Sequence, residues 1–556
     1  MIRAKSIQDQ ISKTYREGEE REAQRRAATA GLKYLDLVTV PTGTDALKLV
    51  PEEKARKIKV SPFGLTGKNL SLAVFDPENK EVKKLVKELR DQQFVVNLYV
   101  VSESSLKHSW SYYQYVRVGD KDISGKVAIE SVKLEKLSAE LHDFASIEKA
   151  VQNFLKKPNA LSELVEIVLA GAMALRASDV HLEPIEKNIL MRLRVDGILH
   201  DVTHAITHEI YREVVSRIKL LSHLKLNVRN EPQDGRFTID VGEAAIEIRV
   251  SILPSEYGET IVMRILDPRS IQVGLYQLGL RADDLAMVEE QLKEPNGMIL
   301  NTGPTGSGKT TTLYAFLQTV KNPEIKVITI EDPIEYHLEG IQQTQVDPEA
   351  GYEFADGLRS IMRQDPDAIL VGEIRDKETA GIAIQAALTG HLVFSTVHAN
   401  SSVGAVPRLI DLGVRSASIG PALNLVIAQR LVRRLCPKCK RAAKNDPATE
   451  NKIKKFLNSL PERVDREPYK QFKVYEAKGC KECGGLGYRG RLAVFELLLV
   501  GPEMENLIKQ EVSEVAIKEF ALKNGLVLMQ QDGILKALGG ETSFDEVLKT
   551  TGPLQF

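Results

Sequence analysis

The spacing of apolar and polar positions changes several times along the chain, and each change marks a different part. Residues 3–28 are rich in Glu, Arg, Gln and Ala with few apolar positions. This predicts a solvated helical extension, or else a docking helix for another protein. Residues 31–118 predict a small α/β domain: helical patterns near 51–57 and 80–90 alternate with apolar runs at 70–75 (LSLAVF) and 94–101 (FVVNLYVV). The Lys- and Glu-rich residues 119–158, ending at Lys156-Lys157-Pro158, read as a linker. A second domain, 159–270, opens with Ser162 as an N-cap for the helical pattern ELVEIVLAGAMALRA, followed by a strand at 179–182. ILMRLRV (189–195) then alternates in period two, Asp196-Gly197 makes a turn and ILHDV returns. AIEIRVSIL (245–253) and TIVMRIL (260–266) form another strand pair. From about 275 to 435 the strand-length apolar runs MILNT, VITIE, DAILVGE and HLVFSTVH are separated by helical patterns. That alternation predicts an α/β fold with a mostly parallel sheet and helices on both faces. Residues 436–483 hold the cysteines, and 484–556 read as a helical tail.

Composition changes this picture little. With 556 residues the chain is long enough for roughly three or four domains. It is 43% hydrophobic and 27% charged, as in ordinary globular proteins. Lys plus Arg (75) balance Asp plus Glu (76), so no net field draws the whole molecule to nucleic acid or an anionic membrane. No apolar run reaches the length of a membrane span, and the polar N-terminus is unlike a secretory signal; a cytoplasmic protein is expected, with any membrane role running through partners.

The four cysteines come as two pairs, Cys436/Cys439 and Cys480/Cys483, with 40 residues between the pairs. In a reducing compartment two Cys-x-x-Cys knuckles suit a closed, tetrahedral, structural Zn²⁺ site, with redox pairs as the alternative. Gly484-Gly485 supplies the tight turn after the second knuckle.

Residues 303–310, GPTGSGKT, match G-x-x-x-x-G-K-[ST] between an apolar strand and a helical pattern. Gly303, Pro304, Thr305, Gly306, Ser307, Gly308, Lys309, Thr310 and Thr311 form the expected ATP site. Glycines expose backbone N–H groups to phosphate, Lys309 sets a charge against the β- and γ-phosphates, and the Thr310 hydroxyl ligates Mg²⁺. Hydrolysis also needs a carboxylate on the Mg²⁺ side and a group that activates water. Two acidic strand ends offer them: Glu331 and Asp332 with Glu335 close behind, and Glu373. His391 and His398 bracket a third strand. Arg192 and Arg194, two apart on a strand, point the same way, towards solvent or towards a bound anion.

The ordered set GPTGSGKT, TIEDPIEY, RQDPDAILVGEIRDKETA and TGHLVFSTVHAN resembles the Walker A, Asp, Walker B and His boxes of the secretion-superfamily ATPases. RASDVHLEP, MRLRVDG, EPQDGRF and RVSILPSEYGETIVMRIL are similar to that family's second N-terminal domain, and the CPKC…CKEC tail to its pilus-extension and type II secretion branch. The resemblance implies a RecA-like core and a homohexamer, with nucleotide held between the domains at 159–270 and 275–435. It makes Glu373 the Walker B carboxylate on Mg²⁺, and an Asp-box acid the water-activating group, with Glu331 preferred and Glu335 in reserve. It makes His391 and His398 the His-box residues, and lets Arg192, Arg194, Arg249 and Arg264 reach the phosphates across the interface. The implied function is a motor for type IV pilus assembly, working on an inner-membrane platform protein with a cytoplasmic adaptor at the inner face of the cytoplasmic membrane. Type II secretion is the alternative. A nucleic-acid translocase, suggested by the basic stretch 430–444, is a distant one, and no direct nucleic-acid contact is expected. Many pilus-extension members carry an earlier segment with an Arg-Leu-Gly nucleotide-messenger motif; nothing like it precedes residue 31, so cyclic-dinucleotide binding is not expected.

Overall fold

The computed structural model describes residues 2–40, 42–66, 68–113, 126–127, 137–138, 140–156, 161–241, 244–268, 273–443, 447–510 and 513–554. The chain forms two units, Met1–Val195 with Leu199–Ile265, and Leu266–Phe556 with Asp196–Ile198.

In the first unit, four strands make a small sheet: β1 (Lys33–Tyr34), β2 (Val60–Thr66), β3 (Asn69–Val74) and β4 (Val95–Val100), ordered β1-β4-β3-β2. The sequence pattern misses β2 because Pro62 and Gly64 interrupt it; they flank a register shift on this edge strand, where a missing N–H is tolerated. From Arg16 on, the N-terminal helix Ile2–Ala30 is docked rather than solvated. Ala23 and Ala27 are buried, and Ala27 joins the core of the small sheet. Alanine lets the backbones approach, and polar residues fasten the helix. Arg26 Nη1 donates to the Phe75 carbonyl at 2.8 Å, and Glu20 accepts from the hydroxyls of Tyr34 and Ser102, both at 2.7 Å.

The stretch read as a linker contains a helix, Phe144–Leu155. Asp143 and Ser146 form a capping box, and Ile147, Val151 and Phe154 are buried at helical spacing. Residues 119–125, 128–136, 139, 157 and 158 of that stretch lie outside the described residues. The next helix, Leu161–Ala174, starts one residue before Ser162, whose proposed capping side chain is likewise outside the description. The two helices meet at Gly171, where a Cβ would lie 2.9 Å from Ile147. They accompany a seven-stranded sheet of β5 (Lys126–Val127), β6 (Ala177–Pro184), β7 (Ile189–Val195), β8 (Ile198–Ile206), β9 (Gln233–Val241), β10 (Ala244–Ser255) and β11 (Gly258–Leu266), ordered β5-β9-β10-β11-β6-β7-β8. On β7 Ile189, Met191, Leu193 and Val195 are buried while Leu190, Arg192 and Arg194 are half-buried, as a one-sided sheet requires.

The second unit is built on another seven-stranded sheet: β12 (Gly297–Thr302), β13 (Val327–Glu331), β14 (Gln342–Gln345), β15 (Ala368–Val371), β16 (Leu392–Val397), β17 (Leu423–Leu435) and, numbered after two short strands, β20 (Tyr488–Leu499). The order is β14-β13-β15-β16-β12-β17-β20. All neighbours pair parallel except β20, which runs antiparallel to β17. Helices cover both faces: Met298 and Leu300 enter one core, Ile299 and the helix Lys309–Val320 the other. Every residue of β12, β13, β15 and β16 is buried.

The tail is thus not all helical. Residues 488–499 complete the sheet; a strand buried on both faces is a continuous apolar run whose periodicity is silent. The cysteine segment, with β18 (Arg441–Ala442), β19 (Tyr475–Glu476) and helix Pro447–Ser459, is an insertion between the paired strands β17 and β20. It shares a core with the closing helices Met529–Leu538 and Phe544–Thr551 through Phe456, Leu460, Leu535 and Val547. Among the described residues, no helix is long and apolar enough to cross a membrane.

Candidate active site

Parallel strands bring their carboxyl ends to one edge of the sheet, and the phosphate loop forms there. It leaves β12 after Thr302 and enters the helix Lys309–Val320. Gly303, Gly306 and Gly308 have φ of 149°, 78° and 88°, which side-chain-bearing residues rarely adopt. At Gly303 a Cβ would also lie 2.5 Å from the Gln429 carbonyl oxygen. The helix's first N–H groups and its dipole face the loop, a ready site for anionic phosphate. Lys309 Nζ donates to the carbonyls of Gly303 at 2.9 Å and Pro304 at 3.2 Å. Burial lowers the pKa of Lys309, against the opposing pull of the Glu373 carboxylate. Thr310 and Thr311, at the start of the helix, are half-buried.

Glu373, just past β15, is largely covered: its side chain is 15% exposed. Arg375 pairs with its Oε1, and His398 Nε2 lies 3.5 Å from its Oε2. The structure therefore gathers Lys309, Glu373 and His398, and adds Arg375. Its position two residues after Glu373 in the same loop is the only sequence signal for it.

The two Asp-box acids differ. Glu331 ends β13 with 4% exposure. Its carboxylate accepts from the Tyr314 hydroxyl, from the Thr329 hydroxyl at 2.5 Å and from Gln343 Nε2 at 3.2 Å. Three donors make burial of this charge tolerable. Gln343 Nε2 also donates to the Tyr336 carbonyl at 3.1 Å, the Tyr336 ring packs edge-on against Tyr314 at 4.6 Å, and the Glu335 backbone N–H donates to the Tyr314 hydroxyl. Burial, then the neighbouring Glu331 carboxylate, push the Tyr314 pKa up, so it remains a donor. Glu331 thereby anchors the loop that carries the half-buried Glu335. Tyr314 and Gln343 lie in a helix and an edge strand, and nothing in their spacing announces them.

His391 is not brought to this edge. It precedes β16, and its carbonyl accepts from Gly297 N–H at the start of β12. The length of β16 separates it from His398 by about 20 Å. Its Nδ1 lies 3.1 Å from the Ala386 carbonyl oxygen.

In the first unit the arginines stand on one face of the seven-stranded sheet, already opposed by acids. Cross-strand register sets Arg194 opposite Asp179, Arg192 opposite His181, and Arg264 opposite Asp179. Arg192 Nη2 donates to both oxygens of Glu183 at 2.5 Å. Asp179 lies between Arg264 Nε at 3.0 Å and Arg194 Nε at 3.5 Å. Arg249, on β10, pairs with Glu247 at 3.3 Å.

The four cysteine sulfurs all lie within 4.8 Å of one another. The 436–480, 439–483 and 480–483 separations are 3.8, 3.9 and 3.8 Å. A tetrahedron with arms of 2.3 Å has edges of about 3.8 Å, so the set fits zinc and is far wider than a disulfide. Cys480 N–H and Gly487 N–H donate to Cys483 Sγ at 3.2 and 3.1 Å. Burial pushes Cys436 up to about 12; it opposes ionisation of Cys483 too, but there the N–H donors win and the pKa falls.

Residues 155–549 match the family described as "Type II/IV secretion system protein", and residues 30–119 match the MshEN domain. The type IV pilus assembly ATPase PilB of Myxococcus xanthus is 36% identical over 529 residues, covering 95% of this chain and 90% of that protein. The type II secretion system protein E of Pseudomonas aeruginosa is 44% identical over 388 residues, covering 70% and 75%. Among solved structures, the ATPase DotB of Legionella pneumophila aligns over 69% of this chain and 94% of its own with a TM-score of 0.50 at 22% identity, a likeness of fold. Likeness of this length and identity, on a RecA-like sheet with its phosphate loop in place, means that the chain belongs to the type II/IV secretion system protein family, among the ATPases of type IV pilus assembly and type II secretion.

Proposed function

We propose that the protein is the ATP-driven motor of type IV pilus assembly, acting as a homohexamer on a platform protein of the inner membrane. The observation that carries this reading is coverage: the pilus-assembly ATPases of M. xanthus and P. aeruginosa align with 95% of the chain, while the type II secretion E proteins of P. aeruginosa and Vibrio cholerae align with 70% and 75%. Their higher identity, 44% and 42%, is what favours type II secretion as the second reading. Deleting the gene in its native host is expected to abolish surface pili. Intact pili with lost secretion of extracellular proteins would overturn the first reading in favour of the second.

Residues 303–311 bind the triphosphate. Thr310 and Glu373 hold Mg²⁺, whose charge offsets that of the β- and γ-phosphates. Glu335 is the water-activating base, because Glu331 is committed to three donors and Glu335 stands on the loop that Glu331 secures. His398 sits beside Glu373, where it meets the γ-phosphate side. Arg192, Arg194, Arg249 and Arg264 exchange their acid partners for the phosphates of a bound nucleotide during the cycle. His391 contributes to contacts between copies. Cys436, Cys439, Cys480 and Cys483 hold a structural zinc ion that closes the insertion. Purified protein is expected to contain one zinc per chain, to scatter light as a sixfold assembly and to hydrolyse ATP. A metal-free protein that stays monomeric with ATP present removes the zinc and hexamer readings.

A further inference from the structure

The loop that binds phosphate in this reading is itself held from the adjoining strand. β12 and β17 run side by side with Thr302 opposite Ala428, which brings Gln429 to the root of the loop. The Gln429 side chain is fully buried. Its Nε2 donates to the Ser307 carbonyl at 2.7 Å, and its Oε1 accepts from Asn301 Nδ2 at 2.7 Å. A Cβ on Gly303 would lie 2.5 Å from the Gln429 carbonyl oxygen, and one on Gly308 would lie 3.1 Å from its Nε2. The residue thus touches the loop at both ends. An amide can present either of its ends to a neighbour; Asn301, by donating to Oε1, turns Nε2 towards Ser307.

A trans peptide is planar, with its C=O and N–H pointing in opposite directions. Fixing the Ser307 carbonyl on Gln429 therefore aims the Gly308 N–H away from β17. This peptide is easily rotated on its own, because Gly308 (φ 88°) carries no side chain to bar other orientations. Turned over, it would present a carbonyl oxygen where the loop must present a donor to an anion.

We propose that Gln429, oriented by Asn301, is a positioning residue for nucleotide binding: it locks the Ser307–Gly308 peptide so that the Gly308 N–H is presented to phosphate. The proposal rests on the reading of residues 303–311 as the ATP site. Full-length Gln429→Met, which keeps the length of the side chain and removes the donor, is expected to raise KM for ATP about tenfold with kcat within about threefold of wild type, the pattern of lost ground-state binding. Asn301→Ala should raise KM less, by about threefold, because Gln429 keeps its donor and loses only its orientation. A residue that merely fills space would lower the folded fraction, and with it kcat, while leaving KM unmoved; that result overturns the proposal. The wild-type protein gives a test that needs no variant. Saturating ADP is expected to slow hydrogen exchange of the Gly308 amide at least about tenfold. Unchanged exchange with ADP bound refutes the role of Gln429 alone, whereas failure of the wild type to bind ADP at all refutes the ATP site together with it.

Discussion

The two seven-stranded sheets of this protein place their charged chemistry differently. In the parallel sheet β12, β13, β15 and β16 are buried along their whole length, so no charged side chain can meet a ligand from a face. The phosphate loop, Glu331, Glu373 and His398 accordingly stand at or just beyond strand carboxyl ends. In the sheet of the first unit one face is only half covered, and Arg194 and Arg264 stand within their strands opposite Asp179, while Arg192 reaches Glu183 two residues along β6. A site at a strand end has its geometry fixed by a loop and the helix that follows. A site in mid-strand has it fixed by register. Loss of the lysine or the base of the first kind should therefore abolish a chemical step, and loss of one cation of the second should weaken it by degrees.

The largest effect is expected at the strand ends. Lys309→Ala should lower ATP hydrolysis by about a thousandfold, measured as phosphate release, since a charge next to the reacting phosphates is lost from a partly buried site. Turnover within a few-fold of wild type would show that the phosphate loop is not the catalytic one and would end the comparison. Next comes the contrast between the two Asp-box acids. Glu335→Gln is expected to lower kcat about a hundredfold while nucleotide still binds. Glu331→Gln should instead lower stability by about 1–3 kcal/mol, because a neutral amide replaces the acceptor of three hydrogen bonds. Hydrolysis in that variant should follow its folded fraction in a thermal melt. Loss of turnover at an unchanged melting temperature in Glu331→Gln, with Glu335→Gln active, would make Glu331 the base.

How far the sequence announced these sites follows from the same difference. Strand-end chemistry is contiguous in the chain, so GPTGSGKT and the acids after VITIE and DAILVG are visible as short strings. What those strings omit is who holds whom. Glu331 and Glu335 are four residues apart, and Tyr314 and Gln343, from a helix and an edge strand, join Thr329 in separating an anchoring acid from one left half-buried. Arg192 and Arg194 were visible by their period of two, but their acid partners emerge only once β6 is set beside β7. Continuous burial hid β20, and a small alanine face hid the docking of the N-terminal helix.

Mid-strand substitution supplies the next smaller effect. Arg194→Ala or Arg192→Ala is expected to reduce kcat about tenfold, below the thousandfold of a completed arginine clamp because neighbouring cations remain. The melting temperature should change little: Arg192 and Glu183 are both partly exposed, and without Arg194 the buried Asp179 keeps its ion pair with Arg264. Loss as deep as that of Lys309→Ala would mean that register alone can fix a chemical step, contrary to the distinction drawn between the sheets.

The finest test lies within one strand. β16 has a histidine just outside each end, and its parallel pairing with β12 puts His398 at the phosphate edge and His391 at the other. If catalysis is confined to the carboxyl edge, His398→Ala should lower kcat by about fivefold through loss of a neighbour of Glu373, whereas His391→Ala should leave kcat per assembled chain within about twofold of wild type. The second variant has a different expected signature. Its Nδ1 meets the Ala386 carbonyl inside the protomer, so a change confined to the concentration at which activity appears would assign it to contacts between copies. An equal fall in kcat for both variants at saturating protein would show that the two ends of β16 are coupled in the reaction, and that the strand edge is not the boundary of the site.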